Sequence, residues 1–326
     1  MSILVTGAAG FIGFHTVMAL LERGDNVIGI DSINDYYDVN LKLARIDESK
    51  SDQYTFIQLD MSDREMLFSK LSEHDISSII HLGAQAGVRY SLENPLAYVQ
   101  SNIVGFTNIL EFSRERSIQH LVYASTSSVY GANKKIPYVE SDRTDQPIQF
   151  YAATKKANEL MAYSYSHLFQ LPTSGLRFFT VYGPWGRPDM ALFKFTKNIL
   201  SGDPIDVYNY GKHSRDFTYV TDIVSGVIKI HDKYAASLNN GEMHAEVFNI
   251  GSSSPVQLMD YIKEIEICLS KEAKVNLLPL QPGDIEDTYA DTSKLYNAVG
   301  YRPETNIQEG VKYFVDWYLQ YYHGRS

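Results

Sequence analysis

An α/β fold built on a doubly wound parallel sheet, with a smaller mixed C-terminal lobe, is predicted by three observations in this 326-residue chain. Short apolar runs alternate with helix-period segments through the first half. The turn between the first run and the first helical segment reads Gly7-Ala8-Ala9-Gly10-Phe11-Ile12-Gly13, and Asp31 closes the second run, about 20 residues after the glycines. Strand, glycine turn, helix, strand and acid in this order make the Rossmann-type unit that binds a dinucleotide.

Ser2–Thr6 is the first strand, Ile12–Arg23 a helix stopped by Gly24, and Asn26–Ile30 the second strand. Gly7 permits the tight turn, Gly10 lets backbone approach a pyrophosphate, and Gly13 lets helix and strand pack closely. The phosphates sit on the helix N-terminus at Gly10, Phe11, Ile12 and Gly13, where free N–H groups favour negative charge. Asp31 accepts hydrogen bonds from the adenosine ribose and repels a 2′-phosphate, so NAD is expected rather than NADP. Such turns also occur without a ligand; the surrounding strand–helix–acid context carries the reading. The spacing is GxxGxxG rather than GxGxxG.

A polar, tyrosine-containing stretch after Asp31 leads into a short helix. Strands follow at Tyr54–Leu59, closed by Asp60, and at Ile76–Leu82, with a helix Asp63–Ser72 between them. Pro95 opens one long helix reaching Arg116, Leu121–Ser125 is a fifth strand, Ile148–Phe169 a second long helix and Gly175–Phe179 a sixth strand. Ligands bind beyond the C-terminal ends of such strands, and Asp31, Asp60, Gly83–Gln85, Ser125–Ser128 and Phe179–Tyr182 gather there. Past residue 183 Pro and Gly become frequent. Helices are expected at Met190–Leu200, Thr221–Tyr234, Pro255–Leu269 and Ile307–Tyr321, with strands near Asp206–Tyr208 and at Val247–Ile250. The expected organisation is a dinucleotide domain, residues 1–182, and a substrate lobe, 183–326, folded against it, with the chain free to cross back.

A formal charge of −10 argues against nucleic acid or an anionic membrane as partner, though not against a small anionic ligand. The one cysteine, Cys268, rules out an internal disulfide framework and a Cys-rich zinc site, so no metal is expected and a cytoplasmic setting is. No apolar run approaches membrane-spanning length, the first strand begins at once, leaving no room for a signal peptide, and His323-Gly324-Arg325-Ser326 reads as an unstructured tail.

Tyr151-Ala152-Ala153-Thr154-Lys155 stacks a phenol and an ammonium on one helix face. A free phenol has a pKa of about 10, so about one in a thousand is a base at neutral pH. Reaching 7 takes roughly 4 kcal/mol, comparable to one charge about 4 Å away at an effective dielectric of about 20. Lys155 is expected to provide much of that, with oxidised nicotinamide adding positive charge. The competing reading is an ordinary i, i+4 pair on a solvated helix. The strand end Ser125-Thr126-Ser127-Ser128-Val129-Tyr130-Gly131 offers hydroxyls that bind a reacting sugar oxygen or merely cap turns.

With these residues, His81-Leu82-Gly83-Ala84-Gln85-Ala86, Asn102–Asn108, Arg177–Gly183, Arg215-Asp216-Phe217 and Pro282-Gly283-Asp284, the chain resembles the extended short-chain dehydrogenases/reductases, specifically the nucleotide-sugar epimerases, over nearly its full length. The resemblance implies Thr126, Tyr151 and Lys155 as catalytic residues. It implies that Asp60 with Met61 reads the adenine, that Leu82, Gly83, Ala84 and Gln85 line the cofactor, and that Asn102 contacts it or orders the helix beside it. The implied reaction removes the sugar 4-hydroxyl proton through Tyr151, passes through a 4-keto sugar and returns hydride to the other face, with NAD regenerated. Dehydratases of the superfamily carry Thr-Asp-Glu and decarboxylases Thr-Ser-Glu where this chain has Thr126-Ser127-Ser128, so both lack a required acid here.

Asp35–Asp38, Gln85–Ser91 and Thr180–Met190 are similar to UDP-glucuronate 4-epimerases. A C6 carboxylate needs donors without a competing acid, and Ser127, Ser128, Thr180 and Arg89 offer them; uncharged hydroxyls also suit UDP-glucose or UDP-N-acetylglucosamine. Arg187 and Arg215 are the diphosphate candidates, with Lys194 secondary, and Asp284 faces the uridine ribose or is an ordinary turn acid. A non-catalytic NAD sensor is the alternative of a different class; the presence of both Tyr151 and Lys155 weighs against it. Resemblance also implies a homodimer through the two long helices.

Overall fold

The computed structural model describes residues 1–235, 244–281 and 283–324; Pro282 of the Pro-Gly-Asp motif and the last two residues of the tail lie outside them. In chain order the strands are β1 (Ser2–Thr6), β2 (Val27–Asp31), β3 (Tyr54–Gln58), β4 (Ile76–His81), β5 (His120–Thr126), β6 (Thr173–Phe178), β7 (Thr180–Tyr182), β8 (Pro204–Val207), β9 (Ser214–Arg215), β10 (Phe217–Tyr219), β11 (Ala245–Ile250), β12 (Val256–Gln257) and β13 (Lys274–Leu277). The α-helices are α1 (Phe11–Glu22), α2 (Val39–Glu48), α3 (Arg64–Leu71), α4 (Tyr90–Glu93), α5 (Pro95–Tyr98), α6 (Phe106–Glu115), α7 (Phe150–Phe169), α8 (Ala191–Ser201), α9 (Val220–Ala235), α10 (Leu258–Leu269), α11 (Ser293–Val299) and α12 (Ile307–His323).

Seven strands form one sheet in the order β3-β2-β1-β4-β5-β6-β11, every neighbouring pair parallel. Alternate residues of each strand face opposite layers. Ile3 and Val5 of β1 pack with α1 and α9 residues Val17, Leu20, Ile223 and Val227, while Leu4 packs with α3 and α6 residues Leu67, Ile109 and Leu110. The order reverses between β1 and β4, and that reversal leaves a crevice at the strand C-termini. A third cluster joins α8, α10 and α12 through Phe195, Ile199, Ile262, Ile265, Phe314 and Tyr318. The chain crosses back over the boundary at residue 183, since α9 covers α1 and β11 pairs with β6.

The continuous helix expected from Pro95 to Arg116 is corrected: α5 passes into a π-helical stretch, Val99–Gly105, before α6. The wide turn carries Asn102 inward, where it is 1% exposed and its side chain accepts from the Gln85 N–H (2.8 Å) and donates to the Gln85 carbonyl (3.1 Å). Three two-stranded pairs in the second half, β7 with β10, β8 with β13 and β9 with β12, extend what the sequence predicts there. Among the described residues no helix is long and apolar enough to cross a membrane.

Candidate active site

A cavity of about 690 Å³ opens at the order reversal. Gly7, Gly10, Phe11, Ile12 and Gly13 form one wall. Gly7 has φ +69°, and a Cβ there would stand 2.7 Å from the Gly83 nitrogen; one on Gly13 would stand 1.9 Å from the Gly7 carbonyl oxygen. Only glycine lets these turns and α1 meet so closely. Gly10 caps α1 with no side-chain bond to its amides and no acid in its first turn, so the N-terminus faces the cavity free to take an anion. Thr6 Oγ1 lies 2.8 Å from His81 Nδ1 and accepts from the Gly83 N–H (2.9 Å), which fixes the opposite lip.

Asp31 is oriented by the Ala9 and Ile33 N–H groups, which donate to its two carboxylate oxygens at 3.2 and 2.9 Å. Asp60, Met61, Leu82, Gly83, Ala84 and Gln85 complete this end. Sequence reasoning missed Lys42, which is 4% exposed, lines the same end and donates to the Asn34 carbonyl and side-chain oxygens, both at 2.7 Å. The sequence carries no signal for it: a helix lysine reads as solvated until the buried residues of α2, Leu41, Lys42 and Arg45, are known.

Thr126 ends β5, and its hydroxyl accepts from the Ser128 N–H (3.2 Å), turning Ser127 and Ser128 toward the same cavity. The helix expected from Ile148 begins at Phe150, which puts Tyr151 in its first turn with Lys155 one turn on. Tyr151, Lys155, Thr180 and Arg187 all line the cavity. Lys155 donates to the Ala124 carbonyl (2.9 Å), and burial lowers its ammonium pKa to about 8. One turn further, Glu159 accepts from Ser125 Oγ (2.7 Å) and from Arg177 Nε and Nη2 (2.9 and 3.0 Å), locking α7 to β5 and β6.

Among the chain's own groups burial dominates and raises the Tyr151 phenol above its ordinary value; the Arg187 cation and the Thr126 hydroxyl draw it back. Arg187 is held by Asp189 through two bonds of 2.9 and 2.7 Å.

Five expected site residues stand off the cavity wall, the exposed Lys194 among them. Asn102 acts through Gln85 and also donates to Thr154 on α7 (3.0 Å), which favours ordering over contact. Arg89 stacks 4.8 Å over the Tyr208 ring. Arg215 donates to the Ile285 and Glu286 carbonyls, and Asp284 stands 4.0 Å from His213 Nε2. Arg89 meets the second lobe at Tyr208, and Arg215 and Asp284 belong to that lobe.

A crevice that cradles a dinucleotide at one lip and presents a phenol with its lysine at the other defines the extended short-chain dehydrogenases/reductases. Within that class the chain belongs to the family described as GDP-mannose 4,6 dehydratase, which it matches over residues 4–314. It is 53% identical over 332 residues to Protein CapI of Staphylococcus aureus, covering 99% of each chain. To the probable UDP-glucuronate 4-epimerase of Rhizobium meliloti (strain 1021) it is 46% identical over 336 residues, covering 99% of this chain and 98% of that one. The crystal structure of UDP-glucuronic acid 4-epimerase from Bacillus cereus, in complex with UDP-glucuronic acid and NAD, superposes with a TM-score of 0.89 at 33% identity, covering 99% of this chain and 100% of that one.

Proposed function

We propose that this protein is an NAD-dependent isomerase that interconverts UDP-glucuronate and UDP-galacturonate by inverting C4 through a 4-keto sugar. The observation that carries the reading is Tyr151 and Thr126 lining the same cavity as the glycine cradle, with no carboxylate at 127 or 128. The cradle fits NAD: the α1 amides take the diphosphate, Asp31 the adenosine ribose, and Asp60 with Met61 the adenine. Bound NAD supplies the site that takes up and returns the C4 hydride, and its oxidised ring adds positive charge near the phenol.

Tyr151 removes the 4-hydroxyl proton and later returns it, while Thr126 hydrogen-bonds the same oxygen. Lys155, one turn after Tyr151 on α7, would bring its cationic charge to the bound cofactor. Ser127, Ser128 and Thr180 offer hydroxyls to a C6 carboxylate. A dehydratase would need an acid beside Thr126, and two serines cannot supply it, which supports epimerisation despite the family's descriptive name. Uncharged hydroxyls also suit UDP-glucose or UDP-N-acetylglucosamine, the second reading.

Residues 183–326 hold the UDP half, with Arg187 and Arg215 toward the diphosphate, Asp284 toward the ribose and Arg89 near the sugar. Exposed Leu96 (75%) and Leu160 (60%), with Val99 and Phe150, support a homodimer through α5–α6 and α7. The enzyme works in the cytoplasm, in keeping with one unpaired cysteine. The test is turnover of a panel of UDP-sugars by the purified protein without added cofactor. Interconversion of the two uronates is expected; turnover of only neutral sugars selects the second reading, and no turnover of any overturns both.

A further inference from the structure

Arg45 projects from α2 with none of its surface exposed, and all partners of its guanidinium are neutral. Nη1 donates to the Ala9 carbonyl in the glycine turn (2.8 Å) and to the Tyr37 hydroxyl (2.7 Å), and Nη2 donates to the Trp185 carbonyl (2.6 Å). Nε is buried and has no partner. No carboxylate bonds this buried cation; Asp31, which accepts from the Ala9 N–H, acts on the same Tyr37, and an anion bound at the glycine turn would add to the compensation of the charge. The glycine turn separates Arg45 from the cavity wall where a dinucleotide diphosphate would lie.

The other partner, Trp185, belongs to a segment of the second lobe strapped across this turn. The Pro184 carbonyl lies 2.8 Å from His15 Nε2 on α1, and the Trp185 ring packs 5.4 Å from Phe14. Asp189 accepts from the Tyr36 hydroxyl (3.2 Å), and Arg187 and Met190 line the cavity from this strap. Trp185 has φ +61°, a left-handed conformation that a tryptophan keeps only where its surroundings hold it.

We infer that Arg45 retains the cofactor: it is the buried counter-charge of the diphosphate, and by bridging Ala9 to Trp185 it fastens the 184–189 strap over the dinucleotide. It acts through those two carbonyls and is a positioning residue. The inference rests on the reading that the cavity holds NAD. A cofactor restored in every turnover has no need to leave, and a fastening of this kind serves such a cycle.

The test counts NAD released on denaturing the purified holoenzyme, then follows exchange of bound NAD against excess isotopically labelled NAD by mass spectrometry. Arg45→Met is expected to exchange about tenfold faster than wild type or faster. Arg45→Lys, which keeps the charge but cannot span both carbonyls, is expected at about threefold and covers the case in which the methionine variant fails to fold. Exchange within about twofold of wild type in a folded Arg45→Met, or in Arg45→Lys if that alone folds, overturns the inference even if the melting temperature drops, since a merely structural arginine would lower only that. Wild-type protein that neither carries nor takes up NAD overturns instead the reading beneath it.

Discussion

Replacing Gly13 by alanine puts a methyl carbon 1.9 Å from the Gly7 carbonyl oxygen and 2.7 Å from the Gly7 carbon. Non-bonded carbons settle about 3.5–4.0 Å apart, so α1 and the turn must part by roughly 1 Å or more. A separation of that size stretches an N–H···O bond of about 2.9 Å beyond bonding range. If two charge-assisted bonds to the diphosphate are lost at about 1.5–3 kcal/mol each, affinity for NAD falls by roughly 10²–10⁴-fold. Overpacking destabilises the fold by a further 1–3 kcal/mol or so. The assay is NAD content of the purified variant together with its thermal melting. Gly24→Ala is the control: φ is +92° there but nothing lies within 4 Å, so backbone strain of about 1 kcal/mol is expected with NAD retained. A Gly13→Ala protein that holds a full complement of NAD and melts with the wild type refutes the cradle.

Tyr151→Phe keeps the ring contact with Tyr98 and retains NAD, while kcat on UDP-glucuronate falls about 10²–10⁴-fold; near-normal turnover removes Tyr151 as the base. Because the Arg187 cation lowers the Tyr151 pKa, Arg187→Met raises it, and the ascending limb of kcat against pH moves to higher pH; a limb that stays or moves down contradicts the assignment. Burial holds His15 and His244 at about 4 and His81 and His120 at about 3, so the unfolded chain binds protons that the fold refuses as pH falls below about 6.5. Glu159, which burial raises but Arg177 pulls lower still, adds a loss on further acidification. The melting temperature should therefore drop from pH 7 toward pH 4, and a flat profile contradicts the burial argument. Leu160→Asp places a charge on the exposed face of α7 and should give monomers by light scattering; a dimer that persists lies elsewhere on the surface.

The sheet's first six strands were legible because parallel strands buried on both faces read as unbroken apolar runs, and the glycine turn marks its own geometry. β9 and β12, of two residues each, and β7 and β10, of three, are too short to show any period. The π-helical turn at Val99–Gly105 is invisible for another reason: it depends on Asn102 finding the Gln85 backbone, a contact 17 residues distant in the chain. Spacing and resemblance single out Tyr151, Lys155 and Thr126, and all three line the cavity, whereas Lys42 and Arg45 look like solvated helix cations until burial is known. Arg215 is engaged with the Ile285 and Glu286 carbonyls, partners some 70 residues away that no local pattern announces.

β11 comes late in the chain, yet it supplies Phe248 and Ile250 to the cluster that contains Val5 and Val122. While the polypeptide is being made, β6 must therefore wait with one edge bare until the ribosome has added the residues through Ile250, a matter of several seconds at about 5–20 residues per second. A gene cut at codon 182 would not yield a free-standing dinucleotide half. It would yield a chain whose open edge invites pairing with its own copies.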